Sequence, residues 1–239
     1  MTLQTVVLAG GLGTRMRPAT EKVPKALLPV AGRPFVDWQL ELLAARGVRR
    51  VLLCVGHLGE QIEAHVGDGY RWGVSVCYSR EDGGLLGTGG ALRLARERDL
   101  LDEEFFVLYG DSYLPVDFDQ VAAAFRRSGG AALMTLFRNE GRLEASNACF
   151  DGRMVTVYDK RTPRPDMAFV DFGLSVLSRW VVETRTGEGF CDLADVFATL
   201  SRDGLLAGHE VAERFYEVGS PAGLADLERH LASAGTRQP

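Results

Sequence analysis

A glycine-rich and basic loop near the N-terminus carries the clearest chemistry in this sequence. Residues 10–13 contain three glycines, and the segment 9–25 that holds them directly follows the apolar residues 6–8. Because glycine has no side chain, the backbone N–H groups of such a loop can approach an anion closely. Arg15 and Lys25 follow in the same segment, and their cationic groups suit phosphate oxygens. A strand that leads into a glycine-rich, basic loop is typical of a polyphosphate site.

Two familiar phosphate-binding motifs do not fit this loop. The dinucleotide motif G-x-G-x-x-G requires a third glycine, but Met16 stands at that position after Gly11 and Gly13. The P-loop motif requires a Gly-Lys pair, which occurs nowhere in the sequence. An ordinary glycine-rich turn is the alternative interpretation, but it does not explain Arg15 and Lys25.

Two carboxylates at the ends of strand-like segments are candidate metal ligands. Asp111 follows the apolar segment 104–108 and a glycine, and Glu217 follows an aromatic pair. Mg²⁺ favours one or two carboxylates together with water and substrate phosphates. An Asx-turn aspartate and a solvated glutamate are the alternative interpretations, but a phosphate loop at the same sheet edge favours metal binding by Asp111.

A D-x-D pair formed by Asp117 and Asp119 suggests a glycosyltransferase metal site. Both residues also lie at the start of a helical pattern, where aspartate commonly caps the helix. We favour helix capping for this pair.

Further candidates suit a sugar phosphate. Lys160 follows a predicted strand and can meet a second phosphate group, although a solvated lysine explains it equally well. Asp171 lies within an apolar strand, so it is either buried and hydrogen-bonded or faces a polar ligand such as a sugar. The glycine-rich residues 83–90 let a base or a sugar lie against the backbone, or they form a merely flexible loop.

Composition narrows the class of protein. The 239 residues are 46% hydrophobic, which suits one large domain, and the net charge of −5 gives no support to nucleic-acid or membrane binding. The four scattered cysteines contain no C-x-x-C motif, so we expect buried free thiols in a reducing compartment. There is no apolar run of membrane-spanning length and no signal-peptide pattern, and we therefore expect a cytoplasmic protein.

Strand and helix patterns alternate through the first half, which predicts a mostly parallel sheet covered on both faces. Ligands of such sheets bind at the carboxyl ends of the strands. The second half is richer in strands and contains a hairpin signal at Asp151 and Gly152. Strands are predicted at 5–8, 50–55, 74–78, 104–108, 131–136, 147–150, 154–158 and 169–177. Helices are predicted at 34–47, 58–66, 88–98, with Thr88 as a cap, 118–127, 192–201 and 221–234.

These segments together resemble the sugar-1-phosphate nucleotidyltransferases. Residues 8–18 and 24–30 look like the long and specific signature of that family. The resemblance continues through most of the chain and is strongest toward the manno-heptose-1-phosphate guanylyltransferases. Its further segments are 32–34, 86–91, 110–111, 159–160 and 217–221.

The resemblance implies a three-layer α/β/α, Rossmann-like (GT-A-like) fold with a mixed, mostly parallel sheet and a β-rich sugar-binding portion. It implies a single domain over 1–239, with a nucleotide-binding half at 1–135 and a sugar-phosphate-binding half at 136–239. The implied reaction is Mg²⁺-assisted, in-line attack of a sugar 1-phosphate on an NTP, which yields an NDP-sugar and pyrophosphate.

GTP and D-glycero-α-D-manno-heptose 1-phosphate are the substrates that we favour. UTP or dTTP with a hexose or N-acetylmuramate 1-phosphate is the alternative. A non-catalytic sugar-nucleotide-binding regulatory protein and a glycosyltransferase that uses the D-x-D pair are the other hypotheses. We expect no nucleic-acid or membrane partner, and the sequence leaves open whether the protein is a homo-oligomer.

The resemblance also assigns roles to individual residues. Arg15, Lys25 and Asp111 are the implied catalytic residues, and Asp111 and Glu217 are the implied Mg²⁺ ligands. Glu217 departs from the family pattern, in which the second metal ligand is usually aspartate. The implied nucleotide-binding residues are Leu8, Ala9, Gly10, Gly11, Gly13, Thr14, Glu81 and Gly87. The implied sugar-phosphate-binding residues are Asn147, Lys160, Asp171 and Gly173.

Overall fold

The computed structural model describes residues 2–141 and 145–235, and it confirms the expected α/β class. A nine-stranded mixed sheet lies between two layers of helices. The described strands are β1 (Gln4–Ala9), β2 (Pro29–Val30), β3 (Arg33–Pro34), β4 (Arg50–Val55), β5 (Ser75–Arg80), β6 (Glu104–Tyr109), β7 (Ser112–Tyr113), β8 (Ala132–Arg138), β9 (Ala148–Phe150), β10 (Val155–Tyr158), β11 (Phe169–Ser178), β12 (Leu206–Val211) and β13 (Tyr216–Glu217). The described helices are α1 (Phe35–Ala45), α2 (Gly59–Val66), α3 (Gly87–Glu97), α4 (Phe118–Ser128), α5 (Arg179–Arg185), α6 (Leu193–Arg202) and α7 (Pro221–Gly235).

The N-terminal half forms a parallel block with the strand order β6-β1-β4-β5. The register pairs Ala9 with Val55 and Leu8 with Tyr109, so the carboxyl ends of these strands meet at one edge of the sheet. The loops that carry the predicted phosphate and metal residues therefore converge there, as open α/β sheets require.

The C-terminal half is mixed. Strand β11 runs antiparallel to β6 and β8, and the predicted hairpin of β9 and β10 is confirmed. The register of β11 against β8 shifts between Asp171 and Ser175, and Gly173 has a φ of +94° inside this bulge. Such a φ is unfavourable for a residue with a Cβ, so the bulge depends on glycine.

Apolar side chains alternate between the two faces of the sheet. Val7 packs with α1, α2 and α4 on one face, whereas Val6 and Leu8 pack with α3, α5 and α6 on the other. This period of two is the consequence of strand geometry. Burial on both faces holds the parallel strands, and thus their carboxyl ends, in a fixed position.

A small third core holds the C-terminal helix. Val218 and Leu227 pack against Val30 and Phe35, and this contact attaches α7 to α1. Strand β13 pairs antiparallel with β7, with Glu217 opposite Ser112. The core therefore brings Glu217 to the edge of the sheet where Asp111 lies.

Two predictions about individual residues were wrong. Helix α3 begins at Gly87, and the Thr88 hydroxyl does not cap it but donates to the Asp192 carboxylate at 3.0 Å. Among the cysteines, which are free, Cys54 is buried, but Cys77 is exposed and the other two are partly exposed. Cys77 is accessible because β5 lies at the sheet edge, where alternate residues face outward.

Strand β12 and helix α5 were not predicted. In the chain segments 2–141 and 145–235, no helix has the length and hydropathy that a membrane crossing requires.

Candidate active site

A cavity of about 410 Å³ opens at the carboxyl ends of β1 and β6. It collects the residues that the sequence assigned to nucleotide binding and catalysis. Those residues are Leu8, Ala9, Gly10, Gly11, Gly13, Thr14, Arg15, Lys25, Glu81, Gly87 and Asp111. We call this space the nucleotide cavity. The structure places these side chains together, while their individual roles stay predictions.

Close backbone packing forms the floor of the nucleotide cavity. The Gly110 N–H donates to the Leu8 carbonyl at 2.9 Å, which ties the end of β6 to the end of β1. A Cβ on Gly110 would lie 2.8 Å from the Ala9 Cα, a distance that real Cβ atoms do not tolerate. The glycine before Asp111 is therefore a packing requirement, and it fixes where the following carboxylate begins.

An ion pair joins the basic loop to this carboxylate. Lys25 Nζ lies 2.5 Å from Asp111 Oδ2, and both side chains are largely buried. A charge-assisted hydrogen bond of this kind is short and directional. It holds the ammonium group and the carboxylate at one end of the nucleotide cavity.

Glu81 lies on the other side of the glycine loop. Its Oε2 atom accepts a hydrogen bond from the Leu86 N–H at 3.0 Å, and its Oε1 atom lies 2.8 Å from the place where a Cβ of Gly10 would be. Burial raises the pKa of the Glu81 carboxyl, although the Leu86 N–H works against the shift. The Glu81 carboxylate, a hydrogen-bond acceptor, thus faces the glycine-rich loop from the end of β5.

A second cavity, of about 440 Å³, adjoins the first. Tyr109 lines both cavities. We call this second space the sugar cavity, because it collects the residues that the sequence assigned to the sugar phosphate. Those residues are Asn147, Lys160, Asp171 and Gly173, and Glu217 lines the same cavity.

Lys160 is held by a buried acidic partner. Its Nζ atom lies 3.6 Å from Asp171 Oδ2 and 5.1 Å from the centre of the Tyr109 ring. Burial works to lower the pKa of Lys160, but Asp171, Tyr109 and Asp192 together outweigh it, and the net pKa lies above the ordinary value. The ammonium group therefore stays charged throughout the neutral pH range.

Asp171 is itself held in place by three contacts. The Tyr158 hydroxyl donates to Asp171 Oδ2 at 3.0 Å, and the Gly173 N–H donates to Oδ1 at 2.9 Å. The Asp171 N–H donates to the Asn147 side-chain oxygen at 3.0 Å. Burial, reinforced by the Asp171 charge, raises the pKa of the Tyr158 phenol. These contacts make Asp171 a rigid support for Lys160.

Of the two candidate metal ligands, Glu217 lies in β13, and Asp111 directly precedes β7, the strand that pairs with β13. The Val218 N–H donates to the Asp111 carbonyl at 2.9 Å, and Glu217 stands opposite Ser112. A Cβ on Gly219 would lie 2.9 Å from Glu217 Oε1 and 3.4 Å from an Arg15 guanidinium nitrogen, so the carboxylate also lies near the basic loop.

This donor set fits magnesium. Over the described residues, no group of three or more His, Cys, Asp or Glu side chains is arranged to hold a metal ion by itself. Asp111 and Glu217 would therefore need phosphate oxygens and water to complete the coordination, which is the usual manner of Mg²⁺ binding.

The D-x-D pair does not belong to either cavity. Asp117 is the N-cap of α4 and accepts from the Gln120 N–H at 3.1 Å, while the Gln120 side chain donates to its other oxygen at 3.0 Å. The prediction of helix capping is confirmed.

Sequence reasoning missed a buried amide that supports the site. The Gln39 side chain donates to the carbonyls of Tyr109 at 3.1 Å and Ser112 at 2.8 Å, which bracket the turn at Asp111. Gln39 is only 2% exposed. A glutamine between the apolar residues Trp38 and Leu40 of a helix was the signal that could have identified it.

An aromatic residue of the nucleotide cavity was missed as well. Phe190 lines the cavity although it lies far from the glycine loop in sequence. No local pattern marks it, because its position depends on how residues 187–192 pack against α3.

Comparison with known proteins agrees with this geometry. Residues 4–146 match the family described as nucleotidyl transferase. Over 125 residues the chain is 40% identical to the N-acetylmuramate alpha-1-phosphate uridylyltransferase of Neisseria meningitidis, and this match covers 52% of each protein. Over 238 residues it is 30% identical to the mannose-1-phosphate guanylyltransferase of Mycobacterium tuberculosis, which covers 96% of this chain and 66% of that protein. Across four such relatives, the matched region spans 36% to 66% of the relative's length.

A solved structure supports the fold. HddC from Yersinia pseudotuberculosis, crystallised with GMP-PN, superposes with a TM-score of 0.76 at 22% identity, and the match covers 96% of this chain and 99% of that chain. The family match includes the glycine-rich loop, Lys25 and Asp111, and it extends over more than half of the residues. The chain therefore belongs to the nucleotidyl transferase family.

Proposed function

We propose that this protein transfers a nucleotidyl group from an NTP to a sugar 1-phosphate, with release of pyrophosphate. The observation that carries the proposal is the pair of adjoining cavities that share Tyr109. One cavity offers a glycine-rich loop with Arg15 and Lys25, and the other offers Lys160 on a rigid acidic support. Two phosphorylated substrates can thus lie side by side with their phosphates adjacent.

The reaction joins these two substrates. A phosphate oxygen of the sugar 1-phosphate attacks the α-phosphorus in line, and the bond from the α-phosphorus to the bridging oxygen of the β-phosphate breaks as pyrophosphate leaves. The reactants carry many negative charges, so positioning and charge neutralisation supply most of the catalysis. Arg15 and Lys25 stabilise the nucleotide phosphates and the charge that develops at the α-phosphorus. Lys160 binds the phosphate of the sugar.

A magnesium ion is the cofactor that suits these residues. Asp111 and Glu217 would hold it, and it would neutralise charge on the nucleotide phosphates. Lys25 forms its ion pair with the Asp111 carboxylate, so the lysine also keeps that carboxylate oriented toward the nucleotide cavity.

GTP is the nucleotide that we favour. An ionised Glu81 only accepts hydrogen bonds, and guanine offers adjacent N1–H and N2–H donors on one edge. Uracil and thymine present a single N–H between two carbonyl oxygens, which a carboxylate repels. The match over 96% of this chain to a mannose-1-phosphate guanylyltransferase supports the same choice.

D-glycero-α-D-manno-heptose 1-phosphate is the sugar substrate that we favour, on the resemblance of residues 86–91. N-acetylmuramate 1-phosphate with UTP is the second candidate, because the 40% identity to a uridylyltransferase for that sugar favours it. We also infer a cytoplasmic location, which suits an enzyme that uses NTPs.

Pyrophosphate release with Mg²⁺ tests the proposal. We would pair each of ATP, CTP, GTP, UTP and dTTP with the 1-phosphates of mannose, glucose, N-acetylmuramate and manno-heptose. The proposal expects the highest rate with GTP and manno-heptose 1-phosphate. Nucleotide binding without turnover across this panel would favour a regulatory sugar-nucleotide-binding protein instead.

A further inference from the structure

Exposed apolar side chains are concentrated at the mouth of the nucleotide cavity. Leu12, Leu85 and Phe190 are 36%, 49% and 69% exposed, and all three line this cavity. In the part of the chain that the structure describes, only Tyr70 and Trp180 are comparably exposed large apolar residues, and neither lines it. Exposed apolar groups gathered at a cavity mouth indicate a ligand that covers them.

The backbone beneath Phe190 is fixed. The Cys191 N–H donates to the Leu86 carbonyl at 2.8 Å, and the Cys191 carbonyl accepts from Gly89 at 2.9 Å and Gly90 at 3.1 Å. A Cβ on Gly87 would lie 2.4 Å from the same carbonyl, so only glycine allows this approach. The exposure of Phe190 is therefore built into the fold and does not result from a loose loop.

The same hydrogen bonds argue against a phosphate site at the start of α3. The first N–H groups of a helix often bind phosphate, but at the start of α3 two of them are already satisfied by the Cys191 carbonyl. The cationic groups Arg15 and Lys25 belong to the loop after β1, and Asp111 follows β6. The end of β5, from which the chain leads to Leu85, lies three strands from β6, or about 14 Å. The cationic groups therefore lie at one end of the cavity, and Leu85 and Phe190 lie at the other.

We propose that Phe190, together with Leu85, forms an apolar rim that covers the nucleobase of the bound NTP, with the Phe190 ring against the face of the base. This inference rests on the proposed nucleotide site and adds residues to it. Aromatic rings contact the faces of all bases, so the rim raises affinity for every NTP. Discrimination between the bases is left to polar groups such as Glu81.

Binding measured without sugar phosphate tests the rim. We would titrate the full chain calorimetrically with GTP, UTP and inorganic tripolyphosphate, each with Mg²⁺. The Phe190→Ala variant is expected to bind both nucleotides on the order of tenfold more weakly. Its affinity for tripolyphosphate is expected to equal that of the wild type, because the phosphate end is untouched. Phe190→Tyr is expected to retain nucleotide affinity.

Trp180→Ala is the matched control, since it removes another exposed aromatic ring, one that lies outside the nucleotide cavity. Three outcomes overturn the proposal: unchanged nucleotide binding by Phe190→Ala, an equal loss for tripolyphosphate, or a change of oligomeric state, which would show that a second copy covers Phe190. The two proposals fail separately. A nucleotide affinity that depends on Phe190, without pyrophosphate release for any sugar phosphate, refutes the reaction and supports the rim.

Discussion

Lys25 and Asp111 form an ion pair with a Nζ to Oδ2 distance of 2.5 Å, although they are 86 positions apart in the sequence. The pair joins the glycine-rich loop to the end of β6, and it places a cation and an anion where the nucleotide phosphates are proposed to lie. Each partner orients the other, so removal of either one disturbs both.

We therefore expect Asp111→Asn to lower kcat/KM at least a hundredfold, because a preorganised charge at the reacting phosphates is lost. The assay is the initial rate of pyrophosphate release at varied substrate concentrations and saturating Mg²⁺. Asp117→Ala is the matched control: it removes the α4 cap and costs about 1 kcal/mol of stability, but it should leave turnover unchanged. Equal losses of activity in both variants would contradict our assignment of the two aspartates.

Glu217 is expected to set the magnesium requirement. Glu217→Gln removes a charged oxygen donor, so the Mg²⁺ concentration for half-maximal rate should rise about tenfold or more. Glu217→Asp keeps the carboxylate and should stay close to the wild type. The measurement is the rate of pyrophosphate release across a Mg²⁺ titration. Full activity of the glutamine variant at limiting Mg²⁺ would exclude Glu217 as a ligand.

Glu81 should make GTP binding depend on pH. Burial raises the pKa of this carboxyl above its ordinary value of 4.5, so the group takes up a proton at a higher pH than a free glutamate does. The protonated form loses acceptor capacity toward guanine, and the KM for GTP should therefore increase as pH falls through the raised pKa. In the Glu81→Gln variant, the KM for GTP should not change over the same pH range. This variant should also lower the ratio of kcat/KM for GTP to kcat/KM for UTP. An amide both donates and accepts hydrogen bonds, so it can also pair with the carbonyl oxygens of uracil.

Lys160 is expected to act on the sugar phosphate alone. Lys160→Met should raise the KM for the sugar 1-phosphate about 10- to 100-fold, since a hydrogen bond to a charged group contributes roughly 1.5–3 kcal/mol. The KM for the NTP should not change. Arg161→Met is the control, because Arg161 pairs with Asp195 at 2.8 Å and is largely exposed. A parallel rise of both KM values in Lys160→Met would argue against separate phosphate sites.

Gln39 should act as a positioning residue. Gln39→Leu leaves the carbonyls of Tyr109 and Ser112 without their donor, so unfolding free energy should fall by about 1–3 kcal/mol. The turn at Asp111 loses its support, and kcat should decrease more than either KM changes. Urea unfolding and steady-state kinetics on the same preparation provide both measurements. A loss of stability with unchanged kcat would limit Gln39 to a structural role.

Much of the fold could be predicted because β1, β4 and β6 are nearly continuous apolar runs. The strand predicted at 50–55 has the bounds that the structure shows for β4. Strand β12 was missed because Gly208, His209 and Glu210 interrupt its apolar pattern. Helix α5 was missed because it is short and charged.

The candidate site was predictable where the chemistry is local. Glycines followed by basic residues indicate a candidate phosphate loop, and Asp111 follows a strand that is easily recognised. Gln39 and Phe190 could not be found in this way, because their importance comes from tertiary neighbours. Aromatic residues are usually buried, so no pattern in the sequence indicates that the ring of Phe190 lies open at a cavity mouth.

Tyr109 lines both cavities, so it is a residue through which the two proposed substrates can influence each other. If the bound nucleotide shifts Tyr109 or its Lys160 neighbour, the affinity for the sugar phosphate changes by some factor. Linkage requires that the sugar phosphate change nucleotide affinity by the same factor. A Tyr109 variant would then alter the cooperativity between the two substrates as well as the affinity for each.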